Sequence, residues 1–377
     1  MVLNIKIYLI NTNFMSTYTE FWRLKEVIVW SVQNYNLEKL DITFKIAYWE
    51  NMKDSTFENF VDYKVDKQKI IERTEDFNNF AKILEENWVK VRRPDELKEF
   101  KSFKTPNFSW FLTPVSNPRD KVIIYWNKII ETPALCTKRY FENQLLYRMF
   151  LDLFNNYWYV WLSAPMPPLK RENFDEWYWL DNKDFSNFKK NDFDISFDAA
   201  HILKIGKDLL FNVSSYNHEL WANWLQWVLW ESVNVHKVYQ LDDTHIDWKL
   251  SVLRPGTFLV NNSLMEKDIK TYLPEKFHNW EFIYTADYRS YPSNYVNDNT
   301  TFLELCSLRW ADTNVLSLDE NTVCVIDQAV NTIQVLEEKW FKVIPVQMRH
   351  CELFWWWLHC ATLDIDREDD FIDYTII

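Results

Sequence analysis

Glycine is almost missing from this sequence: the 377 residues contain 2, where average usage of about 7% would supply roughly 26. Tight turns and left-handed helix ends favour glycine, so those positions must carry something else. Cysteine is scarce too. Cys136, Cys306, Cys324, Cys351 and Cys360 are odd in number, widely spaced and without a CxxC pair. That argues against a disulfide framework or a zinc site and predicts a reduced protein of the cytoplasm. No block of Lys and Arg forms a stripe, and the net charge is −13. A phosphate backbone needs clustered cations, so nucleic acid is not expected as a partner. Long apolar runs are lacking as well. The most aromatic region, 145–166, is broken by Arg148, Asp152 and two asparagines, so no membrane span or membrane partner is expected. The first ten residues read as a strand, without the length or cleavage site of a signal peptide.

Tryptophan is in excess instead. It occurs 21 times, and with the 2 glycines this makes 23, close to an ordinary glycine quota. The positions follow a repeat. Ile83–Val91 (ILEENWVKV) echoes Val335–Val343 (VLEEKWFKV). Looser copies run through Phe150–Tyr157 to Trp158, Leu225–Leu229 to Trp230, and Tyr272–Asn279 to Trp280. Each copy reads as helix, short break and strand, and five copies predict an array of five α/β modules. In every copy a Trp falls just past the helix, where the backbone commonly turns left-handed. Ile123–Ile130 reads as a hairpin whose two-residue turn is Trp126-Asn127, where Gly-Asn would be usual. Core tryptophans would follow apolar periodicity, whereas these follow turns. UGA is read as Trp in one variant genetic code and as Gly in another. Most of these tryptophans are therefore expected to be glycines in the organism, with Trp161 and Trp224 genuine.

Four stretches are dense in reactive groups: Ser116–Asp120; Phe197–His201 with Gly206-Lys207-Asp208; Thr244–Asp247 with Pro255-Gly256; and Leu358–Thr362. Singly each has a plain reading as a cap, a turn or an inert buried thiol. Together they have another. A cysteine nucleophile beside a base, with two or three carboxylates to hold a planar cation, matches the five N–H donors of a guanidinium.

At these residues the chain resembles the amidinotransferase family, which includes arginine:glycine amidinotransferase and the inosamine-phosphate amidinotransferases. The motifs are Phe197–Ala200 with Gly206-Lys207-Asp208, His245–Asp247 with Pro255-Gly256, Asn314–Glu320 (NVLSLDE), and Trp355–Thr362 for a G-G-G-x-H-C-x-T pattern. Order and spacing agree from about residue 20 to 368. The resemblance implies an α/β fold, a fivefold pseudosymmetric α/β propeller (pentein-like), with 1–377 as one catalytic domain. It implies transfer of the amidino group of L-arginine to an amine acceptor through an amidino-cysteine, releasing ornithine, with no metal or organic cofactor. Cys360 would be the nucleophile and His245 the general acid and base. Asp198 would orient His245 and bind guanidinium, and Asp120 and Asp247 would complete the carboxylate cradle. Ser307 falls near a family serine that contacts the donor's α-carboxylate. Partners would be small-molecule substrates, with a homodimer left open.

Several positions depart from the family pattern. His201 stands where the motif has a second Asp, Asp366-Arg367 where it has paired arginines, and Leu264 where the glycine-specific enzyme has an arginine for its acceptor. Arg139 and Glu142 match a family Arg/Glu pair and read as a structural ion pair. The rival chemistry is an arginine deiminase-like guanidino hydrolase on the same fold. The rival class is a non-catalytic, aromatic-rich binding protein.

Overall fold

In the computed structural model, five stretches of chain repeat one arrangement of three strands. The residues described are 15–32, 43, 66–99, 101–115, 117–170, 197–242, 245–261, 265, 267–285, 312–351 and 357–376. The expected N-terminal strand, Ser116, Leu264, Cys306, Ser307, Trp355 and Trp356 lie outside them.

In each unit the first strand pairs antiparallel with the second, and the second pairs parallel with the third. The units are Val122–Tyr125, Lys128–Glu131 and Val160–Ser163; Ile202–Ile205, Asp208–Val213 and Asn234–Tyr239; Leu250–Arg254, Thr257–Val260 and Glu281–Tyr284; and Leu316–Ser317, Thr322–Ile326 and Lys342–Val346. The fifth joins the two ends of the described chain: Thr362–Arg367 pairs antiparallel with Leu24–Val29, which pairs parallel with Lys90–Arg92. Parallel neighbours need a long crossover. Helices Tyr147–Tyr157, Tyr216–Leu229, Val330–Glu338 and Lys67–Glu86 supply it in four units. The fold is therefore mixed α/β.

The five helix-to-strand breaks read from the sequence all fall on these crossovers, with one correction. Among the described residues the Trp280 unit shows no α-helix; two 3₁₀ turns, Ile269–Thr271 and Glu275–Phe277, precede its third strand. Pro274 lies between the two turns and has no N–H for a helical hydrogen bond. Trp280 is buried against Phe258 and Phe277 and is not left-handed. The other four breaks are left-handed, with φ of 67° at Trp88, 62° at Trp158, 67° at Trp230 and 67° at Trp340. The two-residue turns that open two units are equivalent. Trp126 has φ of 55° in one and Gly206 has φ of 65° in the other. A Cβ at Gly206 would meet the carbonyl of Ile372 and the ring of Tyr374.

The middle strands are buried throughout in Asp208–Val213 and Thr257–Val260, and apolar clusters fill the space beneath the helices. No helix among the described residues is long and apolar enough to cross a membrane.

Candidate active site

Each unit is preceded by a short turn, and the five turns carry the polar residues that converge. Pro118–Lys121 brings Asp120, the turn Ala199–His201 is capped by Asp198, and Ile246–Trp248 holds Asp247 and is capped by His245. The turn before Leu316 ends at Asn314, and the turn before Thr362 carries His359 and Cys360. All these side chains are buried. The structure thus brings together Cys360, His245, Asp198, Asp120 and Asp247.

One donor atom each from Asp120, His245 and Cys360 lie within 4.8 Å of one another. A thiophilic divalent cation would accept that donor set, but the set coincides with the nucleophile and base candidates and makes no separate centre. His245 Nε2 sits 3.2 Å from Asp198 Oδ2, and its Nδ1 lies 4.0 Å from Asp120 Oδ1. Cys360 Sγ is 3.5 Å from Asp247 Oδ2. Two buried carboxylate oxygens, Asp120 Oδ1 and Asp247 Oδ1, have no hydrogen-bond partner. Buried acceptors are ordinarily satisfied, so this pair marks where a cationic donor fits.

The electrostatics follow from burial and charge. Burial pulls the pKa of His245 down, but Asp120, the hydrogen bond to Asp198 and Asp247 outweigh it and raise it to about 9. Burial also raises that of Asp198, yet Arg139 and His245 hold it well below the carboxylate range. Asp120 is raised by burial against the pull of His245 and Arg139. Burial pushes the Cys360 thiol well up, and Asp247 and Asp120 push it further; Asn314 acts the other way. At neutral pH the resting pair is an imidazolium beside a neutral thiol.

Three residues that the sequence reading named in its motifs, without a role in binding or catalysis, stand at the site. Asn314 donates from Nδ2 to Cys360 Sγ at 2.9 Å and to Asp247 Oδ2 at 2.9 Å. His359 bridges two carboxylates, with Nδ1 at 2.8 Å from Asp247 Oδ2 and Nε2 at 3.5 Å from Glu20 Oε2. Arg139 does pair with Glu142, at 2.6 Å, but it also reaches Asp120 Oδ2 at 2.7 Å and Asp198 Oδ2 at 3.5 Å. It therefore anchors two cradle carboxylates as well. Asn314 had a usable signal, since it stands before its unit's first strand as Asp120 and Asp198 do. His201 lies beside the site, its ring 5.7 Å from that of His245 and 4.2 Å from that of His218. Burial and the two neighbouring imidazoles keep it neutral. Arg367 is held in an ion pair with Asp364 at 2.8 Å.

No family model matches the chain. The L-arginine:L-lysine amidinotransferase of Pseudomonas savastanoi pv. phaseolicola is 28% identical over 375 residues, covering 97% of this chain and 98% of the relative. Among solved structures, the inosamine-phosphate amidinotransferase of Streptomyces griseus superposes with a TM-score of 0.83 at 26% identity, covering 96% of this chain and 99% of that one. DDAH from Pseudomonas aeruginosa shares the fold at 12% identity, with a TM-score of 0.54 over 91% of this chain and 100% of that one. The first two are named amidinotransferases, enzymes that transfer amidino groups, and this chain is similar to both over more than nine-tenths of its length.

Proposed function

We propose that the chain moves the amidino group of L-arginine to an amine acceptor through a covalent amidino-cysteine on Cys360. The observation that carries this reading is the pair of buried oxygens without a hydrogen-bond partner, Asp120 Oδ1 and Asp247 Oδ1, beside a buried thiol and an imidazolium. A guanidinium seated there satisfies the carboxylates and brings positive charge to the sulfur, favouring thiolate. The entering guanidinium cation displaces the thiol proton to solvent, and the resulting thiolate Sγ bonds to the guanidinium carbon. The bond from that carbon to the ornithine nitrogen breaks as His245 gives that nitrogen a proton. Ornithine departs, leaving the amidino group on sulfur and a neutral His245. The acceptor amine then loses a proton to His245 and attacks the amidino carbon, and the C–S bond breaks to restore the cysteine. The five three-stranded units, each presenting its leading turn to one site, support a fivefold pseudosymmetric propeller around it.

The test uses guanidino-labelled arginine. Label on the peptide containing Cys360, chased off by an amine acceptor with stoichiometric ornithine, is the expected result. Sustained citrulline and ammonia from arginine alone would mean that water is the acceptor and would overturn the transferase reading. Lysine, glycine and aminocyclitol phosphates form the acceptor screen.

We also infer that most tryptophans of this sequence stand for glycine. Among the described residues, eight non-glycines have positive φ, and five of them are Trp88, Trp126, Trp158, Trp230 and Trp340. Trp88 and Trp340 are 82% and 89% exposed, so packing gives no reason for an indole there. Trp126 occupies the turn position that Gly206 holds in the next unit. Trp161 differs, donating from Nε1 to Glu131 at 2.8 Å inside a strand, as a genuine tryptophan should. Mass spectrometry of the natural protein reads Gly or Trp at each position directly, and Trp at 126 and 340 would overturn the inference.

A further inference from the structure

The Asn314 amide sits between two groups that the proposed reaction uses. Its orientation is fixed by its surroundings. The backbone N–H of Cys360 donates to Asn314 Oδ1 at 3.1 Å, so the oxygen must face the cysteine backbone. The amide nitrogen is thereby turned toward Asp247 Oδ2 and Cys360 Sγ, and it has two hydrogens for these two acceptors. The backbone is tied as well: the Thr313 hydroxyl donates to the carbonyl of Asp247 at 2.8 Å, and the carbonyl of Thr313 accepts from Ser251 Oγ. The loop carrying Asn314 is thus docked on the loop carrying Asp247.

We propose that Asn314 is a catalytic residue: its amide donates to Cys360 Sγ and stabilises the thiolate as it forms, while the same amide holds Asp247 beside the sulfur. The argument rests on the amidino-cysteine reading above. A bond from a neutral donor strengthens when its acceptor becomes an anion, and it costs no reorganisation when the donor is already aimed. The charged groups around the sulfur make the need plain. Asp247 and Asp120 oppose a thiolate, while His245 and Arg119 favour one. Among the described residues, Asn314 donates a hydrogen bond to Sγ itself.

The test compares wild type with Asn314→Ala and Asn314→Ser, the serine keeping a single hydroxyl donor. Iodoacetamide alkylation of Cys360 without arginine, followed across pH, reads the thiolate independently of turnover. Loss of the donor moves the alkylation profile to higher pH and lowers kcat by about 10- to 100-fold. KM for arginine changes less, because His359 still holds Asp247. Serine falls between alanine and wild type, and thermal melts confirm which variants fold. An unchanged alkylation profile with kcat within about twofold of wild type in folded Asn314→Ala, which has no donor left, overturns the proposal. Wild type that never acquires label at Cys360 would instead overturn the amidino-cysteine reading, so the two failures are distinct.

Discussion

Nε2 of His245 lies 3.2 Å from Oδ2 of Asp198, and Nη1 of Arg139 reaches the same oxygen at 3.5 Å. One carboxylate therefore serves both a titratable imidazole and a permanently charged guanidinium. That arrangement keeps Asp198 ionised and His245 protonated before substrate arrives.

Removing that charge should be visible in the pH profile. Asp198→Asn leaves the shape but withdraws one of the three carboxylates that hold His245 near 9. The alkaline limb of kcat/KM should move from about pH 9 toward the ordinary histidine value near 6.5. The rate at neutral pH should fall by about 100-fold or more. An unmoved limb would show that His245 is not the titrating group.

Through His245, stability should fall as pH rises from 6 toward 8, below the range where Lys138, lowered by burial to about 8, acts the other way. The folded pKa of His245 lies above its unfolded value, so its contribution is full below about 6.5 and lost as pH rises through about 9. The raised Cys360 acts in the same direction, because only the unfolded chain releases that proton near pH 8.5. The His245 share is on the order of 3 kcal/mol. Denaturant midpoints between pH 6 and 8 measure the onset of its loss, and His245→Gln should flatten that slope.

Arg139 should matter for folding as well as for turnover. It is buried among Asp120, Glu142 and Asp198, and its loss strands carboxylates away from water. Arg139→Ala should cost about 3–5 kcal/mol, read from urea denaturation. Arg139→Lys should recover part of this, since one ammonium cannot reproduce the guanidinium fork.

The left-handed tryptophans should be improvable one by one. Each of Trp88→Gly, Trp126→Gly, Trp158→Gly, Trp230→Gly and Trp340→Gly should stabilise the chain by about 1–2 kcal/mol, because the strain of Cβ in that conformation disappears. Trp161→Gly should do the opposite, as it removes a ring packed on Tyr147 and Phe150. Melting temperatures of the six variants decide between turn strain and useful aromatic packing.

The sequence by itself determined the five modules and most of the residues that meet. Helical pattern, break and β-branched run are local signals, and His-Ile-Asp and His-Cys-Ala-Thr are contiguous motifs. It missed the short turns of the Trp280 unit, because nearby apolar residues mimic a helix that Pro274 does not support. What only the tertiary structure decided are relations across the chain. Asn314 meets a cysteine 46 residues later and a carboxylate 67 residues earlier. Arg139 joins Asp120 to Asp198, and His359 joins Asp247 to Glu20. No spacing rule encodes these pairings. They arise because strand pairing carries five leading turns to one place, where buried charges must find partners.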